Sequence, residues 1–252
     1  PKEYIMHILH LSLLQHYSYD NVLQISLKEK GDQLTIAGDT HGQYFDLMNI
    51  FSDTVASFPS TKNPFLFNGD FVDRGRYSFE VAFLLIALKI ANDNCIHLLR
   101  GNHETTSMNS MYGFEAQVMA VYDHEVLALM RTVFASMPLA AVVEDKIFVT
   151  HGGIGKLSVN MTIDDLNKLD RHTEPDFGSS AAAELLWSDP IDSEKHKNIS
   201  RNYKRGGGYL FGKHATATFL DTIQLLQLKH NIIFYHKAVR KLKNLLKVYS
   251  IS

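Results

Sequence analysis

Side chains that could bind metal ions gather in four short polar segments of the sequence. Each segment stands directly after a short apolar run, and together they supply five candidate ligands: Asp39, His41, Asp70, Asn102 and His151. Carboxylate, amide and imidazole groups without sulfur suit Mn, Fe or Zn ions better than Ca. Because five ligands exceed what one ion usually takes from a protein, and because a carboxylate can bridge, we expect two metal ions that share Asp70.

A pair of metal ions favours one kind of reaction. Ions roughly 3.5–4 Å apart stabilise both the attacking and the leaving oxygen of an in-line displacement, and they lower the pKa of a bound water. The ligand set therefore predicts hydrolysis of a phosphoester. This chemistry requires no covalent nucleophile.

Other polar residues of these segments fit the same reaction. Arg74, Arg100 and Arg205 are candidates to hold a phosphate, because a guanidinium group binds two phosphate oxygens at once. Arg100 could equally pair with a structural carboxylate. His103 could protonate the leaving alkoxide, and Asp73 could orient its imidazole ring.

The elements that position these residues follow from the apolar pattern. Four runs have the length of buried strands, each ending in a tight polar turn, at residues 34–37, 65–67, 96–99 and 147–150. Helix-like stretches lie between them, the clearest at 79–90 and 115–134. Strands that alternate with helices predict an α/β architecture, in which ligand-binding groups gather beyond the carboxyl ends of the strands. We therefore expect the four turns to meet.

The composition is that of a globular protein and excludes several classes. The chain has 252 residues and a formal net charge of −2, which argues against nonspecific nucleic-acid binding. The single Cys95 excludes an intramolecular disulfide and multi-cysteine metal sites. The longest near-apolar run, 83–91, is too short to span a bilayer, and the first residues lack the pattern of a secretory signal. We expect a cytoplasmic or nuclear protein with no nucleic-acid partner and no membrane span.

Six blocks of the sequence, in the right order, resemble the signature blocks of the phosphoprotein phosphatase family of serine/threonine phosphatases. They are GDTHGQ at 38–43, GDFVDRG at 69–75, LLRGNHE at 98–104, HGG at 151–153, LLWSDP at 185–190 and RGGGYLFG at 205–212. The similarity runs from about residue 1 to residue 220. The GDTH variant and residues 108–115 resemble one subgroup of the family, which implies a helical-repeat regulatory domain upstream.

The resemblance implies a fold and an activity. The fold would be the calcineurin-like metallophosphoesterase sandwich, two mixed β-sheets flanked by helices, with residues 1–252 forming a single catalytic domain. The activity would be hydrolysis of phosphoserine and phosphothreonine by direct attack of a water or hydroxide that bridges two metal ions. Phosphoproteins would be the substrates, and a regulatory domain or subunit a further partner.

The resemblance also implies a role for each site residue. Asp39, His41 and Asp70 would bind the first metal ion. The second would be held by Asp70, Asn102 and His151. The phosphate would be held by Arg74 and Arg205 with help from Asn102, and the proton would come from His103 paired with Asp73.

The C-terminal part departs from the family pattern. His236 stands roughly where the family places a further metal ligand, and His230 is its competitor, since neither keeps the expected spacing. Residues 240–247 read as a basic amphipathic helix, and we expect 220–252 to be a divergent or incomplete end. Two alternatives stay open: a noncatalytic or weakly active phosphatase-like binding module, and another dinuclear metallophosphoesterase such as a nuclease or nucleotide pyrophosphohydrolase.

Overall fold

The fold was analysed in a computed structural model of the protein. It describes residues 1–27, 29, 32–173, 175, 180–191, 198–224, 232–234 and 248–251. The chain forms two compact units. The first contains Pro1–Ser18, Leu27–Met137 and Leu242–Ser252, and the second contains Tyr19–Ser26 and Pro138–Lys241.

Helices and strands alternate along most of the chain. The helices are α1 (Lys2–Tyr17), α2 (Tyr44–Ile50), α3 (Ser78–Ala91), α4 (Thr106–Tyr112), α5 (Phe114–Val121), α6 (His124–Ser136), α7 (Ile163–Asn167), α8 (Ala181–Trp187) and α9 (Lys213–Thr222), with a short 3-10 turn at Ser158–Asn160. The strands are β1 (Val22–Ile25), β2 (Leu34–Ala37), β3 (Phe65–Phe67), β4 (Ile96–Leu98), β5 (Ala140–Val143), β6 (Ile147–Thr150), β7 (Asp189–Pro190), β8 (Ser200–Arg201), β9 (Tyr209–Phe211), β10 (Ile232–Phe234) and β11 (Val248–Ile251).

The first unit is built on a four-stranded mixed sheet with the order β11-β2-β3-β4. Strands β2, β3 and β4 are parallel, with Ala37 opposite Phe67 and Phe67 opposite Leu98, whereas β11 pairs with β2 in the antiparallel direction. All residues of β2 and β3 are buried, as expected for parallel strands covered on both faces. The ends of three parallel strands therefore lie at one edge of this sheet.

One hydrophobic core supports that sheet. Phe51, Phe65 and Phe67 pack edge to face or stacked, with ring centroids 5.7 to 6.2 Å apart. Helix α3 contributes Val81 and Leu85 to the same core, both with no exposed surface. Because aromatic pairs in this geometry add to the burial of apolar area, the strand ends rest on a rigid base.

The second unit contains a four-stranded mixed sheet and a smaller mixed sheet. The larger has the order β1-β5-β6-β10, and the smaller the order β7-β9-β8. Phe148 of β6 packs against Phe219 of α9, with ring centroids 4.9 Å apart. The smaller sheet was not foreseen from the sequence, because two of its strands have only two residues.

The sequence predictions are confirmed for the strands and for one of the two helices. The four apolar runs form β2, β3, β4 and β6, and the 79–90 stretch forms α3. The 115–134 stretch is instead two helices, because Asp123 caps α6 by accepting hydrogen bonds from the N–H groups of Glu125 and Val126. The predicted basic helix at 240–247 lies outside the described residues.

No helix in the described part of the chain combines the length and the apolar character needed to cross a membrane.

Candidate metal and phosphate site

Three of the four predicted polar turns lie together at the carboxyl edge of the first unit's sheet. The turn after β2 is fixed to the turn after β3 by backbone hydrogen bonds. The N–H of His41 donates to the carbonyl of Asp70 at 2.9 Å, and the N–H of Gly42 donates to that of Phe71 at 2.8 Å. The turns therefore meet within this unit, as expected for the ends of parallel strands.

His41 presents one ring nitrogen to two carboxylates. Its Nδ1 donates to the carbonyl of Val72 at 2.8 Å, which leaves Nε2 as the nitrogen that can bind a metal ion. Nε2 lies 3.3 Å from Oδ2 of Asp39 and 3.6 Å from Oδ2 of Asp70. Burial alone would lower the pKa of His41, but the nearby carboxylates of Asp39 and Asp70 outweigh it and raise that pKa above its usual value.

These side chains fit a metal ion of the expected kind. They are the Nε2 atom of His41 and the carboxylates of Asp39 and Asp70, at the distances given above. Imidazole and carboxylate ligands at such separations suit Mn, Fe or Zn. The rings of His41 and His103 meet edge to face, with centroids 4.7 Å apart.

His103 is held through both of its ring nitrogens. Nδ1 lies 2.8 Å from Oδ2 of Asp73, and Nη2 of Arg74 lies 3.0 Å from Nε2. Since a guanidinium group can only donate, this network assigns the ring proton to Nδ1 and the acceptor role to Nε2. The predicted proton donor, its orienting carboxylate and a predicted phosphate ligand therefore form one connected group.

Four residues of these turns adopt a backbone conformation that side chains disfavour. The φ angle is 39° at His41, 56° at Asp70, 68° at Asp73 and 66° at Arg74. A residue other than glycine held at such an angle costs on the order of 1 kcal/mol or more. Strain of this kind concentrates at functional sites, where surrounding contacts impose it.

Asn102 lies on the turn after β4 and is 2% exposed. The backbone is held at Asn102 itself and at the residue that follows. The hydroxyl of Thr105 donates to the carbonyl of Asn102 at 2.7 Å, and Nδ2 of Asn109 donates to the carbonyl of His103 at 2.7 Å. Arg100 is also buried, and its Nε donates to the backbone carbonyl of Glu104 at 3.0 Å. Both uses considered for this arginine stay predictions.

Two site residues lie in the second unit. His151 directly follows β6 and is 1% exposed. Nη1 of Arg205 lies 2.6 Å from Oδ1 of Asp189, and its guanidinium carbon lies 5.2 Å from the centre of the Trp187 ring. His236 and His230 both lie outside the described residues, so the assignment of the last ligand stays a prediction.

Sequence reasoning missed two residues that shape these turns. Gln117 of α5 donates to the carbonyl of Gly75 at 2.8 Å and accepts the N–H of Ser78 at 3.0 Å, so it holds the segment that follows Arg74. Glu104 receives backbone N–H groups from two of the turns. No pattern of residue types in the sequence predicts that a given side chain will bind backbone groups. The only available signal was the position of Glu104 within the LLRGNHE block.

Comparison with known proteins identifies the family of the chain. The family model for the calcineurin-like phosphoesterases matches residues 33–234. The chain belongs to the calcineurin-like phosphoesterase family, and the predicted fold class, α/β with mixed sheets and flanking helices, is thereby confirmed.

Curated relatives narrow the similarity to one subgroup. Serine/threonine-protein phosphatase 5 of Rattus norvegicus is 42% identical over 204 residues, covering 81% of this chain and 39% of the relative. Serine/threonine-protein phosphatase T of Aspergillus oryzae is 42% identical over 206 residues, covering 81% of this chain and 41% of the relative. The chain thus spans about two fifths of the length of these relatives. The predicted resemblance to phosphoprotein phosphatases, and within them to protein phosphatase 5, is confirmed.

One solved structure matches most of the chain. It is the Saccharomyces cerevisiae protein serine/threonine phosphatase described as similar to human phosphatase PP5, with a TM-score of 0.82 and 32% identity. The match covers 92% of this chain and 70% of that chain.

Proposed function

We propose that this protein is a protein serine/threonine phosphatase that hydrolyses phosphoserine and phosphothreonine with two bound metal ions. The observation that carries the proposal is the group formed by Asp73, His103 and Arg74 beside the carboxylate of Asp70. This group combines a proton donor, a phosphate ligand and a metal ligand at one sheet edge. The names of the relatives support the choice of phosphoprotein as substrate class.

The metal ions would be divalent or trivalent Mn, Fe or Zn. Asp39, His41 and Asp70 would hold the first, and Asp70, Asn102 and His151 the second, with His236 as a candidate for a further ligand. When bound, such a pair supplies the Lewis acidity that activates water for attack on phosphorus.

The chain's own residues would bind and orient the phosphoryl group. Arg74 and Arg205, with Asn102, would hold its oxygens, because a guanidinium group can give two parallel charge-assisted hydrogen bonds. Asp189 accepts from Arg205 and so fixes the direction of that guanidinium group. For Arg74, engaging phosphate would mean leaving its contact with Nε2 of His103.

Release of Arg74 would prepare His103 for its task. Without the guanidinium donor, Nε2 can take up a proton from solvent, while Nδ1 continues to donate to Asp73. When the phosphorus–oxygen bond to the substrate breaks, the serine or threonine alkoxide would take that proton from Nε2. Asp73 would orient the ring and stabilise its positive charge.

Residues 1–252 would act as one catalytic domain, with 220–252 diverging from the family. A regulatory domain or subunit would be a further partner. The composition supports a cytoplasmic or nuclear location.

The proposal is tested by hydrolysis of a phosphoserine or phosphothreonine peptide in the presence of Mn²⁺. We expect turnover by the wild type, and losses of at least a hundredfold in His103→Ala and Asp70→Asn. His7→Ala, on the exposed face of α1, is the control for the first substitution. Asp145→Asn is the control for the second, because Asp145 also has a positive φ, of 50°.

The same assay separates the alternatives. Turnover of nucleotides or nucleic acid in place of phosphopeptides would assign a different metallophosphoesterase activity. A folded protein that binds Mn²⁺ but turns over neither phosphopeptide nor a generic aryl phosphate would be a noncatalytic binding module.

A further inference from the structure

Glu104 connects two turns of the site through its buried carboxylate. The side chain has no exposed surface. Oε2 accepts the N–H of Asp70 at 2.7 Å and that of Gly101 at 2.9 Å, while Oε1 accepts the N–H of Phe71 at 2.8 Å. One carboxylate therefore binds the turn after β3 and the turn after β4 at the same time.

A second carboxylate bridges the same two turns in the opposite direction. Oδ1 of Asp70 accepts the N–H of His103 at 2.9 Å. Asp70 itself has a φ of 56°, a conformation that must be imposed by its surroundings. The hydrogen bond from its own N–H to Glu104 is one of the contacts that impose it.

The two turns also touch backbone to backbone. A Cβ atom on Gly69 would lie 2.4 Å from the nitrogen of Gly101, and a Cβ atom on Gly101 would lie 2.4 Å from Oδ1 of Asp70 and 2.7 Å from Oε2 of Glu104. No side chain can enter this contact. The separation of the turns therefore depends on the hydrogen bonds across it. Glu104 accepts two of these, from Asp70 and Phe71, and its third bond, from Gly101, fixes the carboxylate within its own turn.

We propose that Glu104 is a positioning residue for the metal centre: it sets the distance and direction between Asp70 and the Asn102–His103 turn. The inference rests on the proposed function, because it assigns Asp70 and Asn102 as metal ligands. Partners behind the ligands contribute to metal affinity by fixing ligand orientation, and their loss typically weakens binding 10- to 100-fold. Glu104 touches neither substrate nor metal in this role.

The chain offers a matched control in Glu184. This glutamate also has no exposed surface. Its carboxylate accepts the N–H of Leu157 at 3.0 Å, the N–H of Ser158 at 2.8 Å and the hydroxyl of Ser158 at 2.8 Å. None of these partners is a proposed ligand. Glu184 therefore matches Glu104 in burial and in bonding but belongs to another part of the chain.

The experiment compares Glu104→Gln with Glu184→Gln. At both positions the glutamine amide must place its NH₂ group against a backbone N–H, and the hydrogen bond there is lost. Both variants should therefore melt at a lower temperature than the wild type. Mn²⁺ affinity is then measured on metal-free folded protein by titration calorimetry. We expect a dissociation constant raised at least tenfold in Glu104→Gln and within twofold of wild type in Glu184→Gln. Excess Mn²⁺ should restore part of the activity of Glu104→Gln.

If Glu104→Gln does not fold, Glu104→Asp with Glu184→Asp as control carries the test. Aspartate keeps the buried negative charge, but its side chain is shorter by one methylene group. Its carboxylate therefore reaches fewer of the three N–H groups. Wild-type Mn²⁺ affinity in the folded Glu104 variant overturns the inference and leaves the proposed function standing. A wild type that binds no Mn²⁺ and shows no turnover overturns the proposed function, and this inference with it.

Discussion

Nδ1 of His103 lies 2.8 Å from Oδ2 of Asp73, and both side chains are almost fully buried. The other oxygen of Asp73 accepts the N–H of Phe114 at the start of α5, at 3.0 Å. Asp73 is thus fixed by a helix terminus and in turn fixes the imidazole ring. The ring orientation is determined by the fold rather than by the substrate.

The pairing predicts the effect of Asp73→Asn. The amide oxygen must accept from Phe114, so the NH₂ group faces Nδ1 of His103 and reverses the preferred tautomer of the ring. We expect kcat for a phosphoserine peptide to fall by about 10²- to 10⁴-fold, the usual contribution of a general acid. With p-nitrophenyl phosphate the fall should be much smaller, because nitrophenolate leaves without being protonated.

Asp46→Asn on the exposed face of α2 serves as the control for this substitution. Equal losses on both substrates would show that Asp73 supports the structure of the site and not proton transfer.

The strained backbone at Arg74 predicts that two substitutions of this residue differ in their effect on stability. Arg74→Ala and Arg74→Gly both remove the guanidinium group, so both should weaken phosphate binding. Glycine, however, accepts the φ of 66° without strain. We expect the glycine variant to be more stable than the alanine variant by about 1 kcal/mol, measured by thermal unfolding. Equal melting temperatures would mean that the turn relaxes once the side chain is gone.

Because of its hydrogen bonds to the segment after Arg74, we expect substitution of Gln117 to lower the affinity for phosphate more than it lowers kcat. Gln117→Ala removes the bonds to Gly75 and Ser78, which lie in the segment that follows Arg74. At about 1 kcal/mol for each of the two bonds, we expect the inhibition constant of inorganic phosphate to rise by up to about thirtyfold, with a smaller change in kcat.

Gln117→Glu gives an internal comparison, because it keeps the acceptor for Ser78 and loses the donor to Gly75. Its inhibition constant should lie between those of the wild type and the alanine variant. If the inhibition constant of phosphate is unchanged in both variants, Gln117 contributes to helix α5 and not to the position of Arg74.

His97 on β4 predicts a loss of stability in acid. The pKa of His97 is lowered to about 4, chiefly by burial and also by the charge of Lys89, whereas Asp93 opposes both. An unfolded histidine titrates near pH 6.5, so above that pH the ring is neutral in both the folded and the unfolded state. In that range protonation of His97 costs no stability. As the pH falls from about 6.5 to about 4, the unfolded state takes up the proton first, and up to about 3 kcal/mol of stability is lost.

The measurement is the free energy of unfolding in urea between pH 7 and pH 4.5. His97→Gln should flatten this dependence relative to the wild type, whereas His7→Gln on the exposed face of α1 should not. Parallel curves for the wild type and His97→Gln would contradict the assignment.

The sequence was sufficient for the parts of the fold that follow a periodic pattern. The strands before Asp39, Asp70 and Asn102 are short and mainly apolar, and their common direction brings the turns to one edge. The break between α5 and α6 was missed, because the apolar spacing continues past it. Only the cap at Asp123 marks it.

The candidate site was foreseen as a set of residues but not as a structure. Residue types indicate candidate ligands and proton donors, whereas Glu104 and Gln117 bind backbone N–H and carbonyl groups, which do not depend on the residue type. The positive φ angles of Asp73 and Arg74 likewise arise from neighbours distant in sequence, such as Tyr112, whose carbonyl accepts the N–H of Arg74 at 3.1 Å.

The pairing of β11 with β2 has a consequence for how the protein is made. Leu34 lies opposite Ile251, so the strand that leads into Asp39 and His41 gains its antiparallel neighbour from residues synthesised very much later. Until then one edge of β2 is open on the ribosome-bound chain, where an unpaired strand edge invites pairing with other chains. We therefore expect nascent chains stalled before residue 248 to depend on chaperones for solubility.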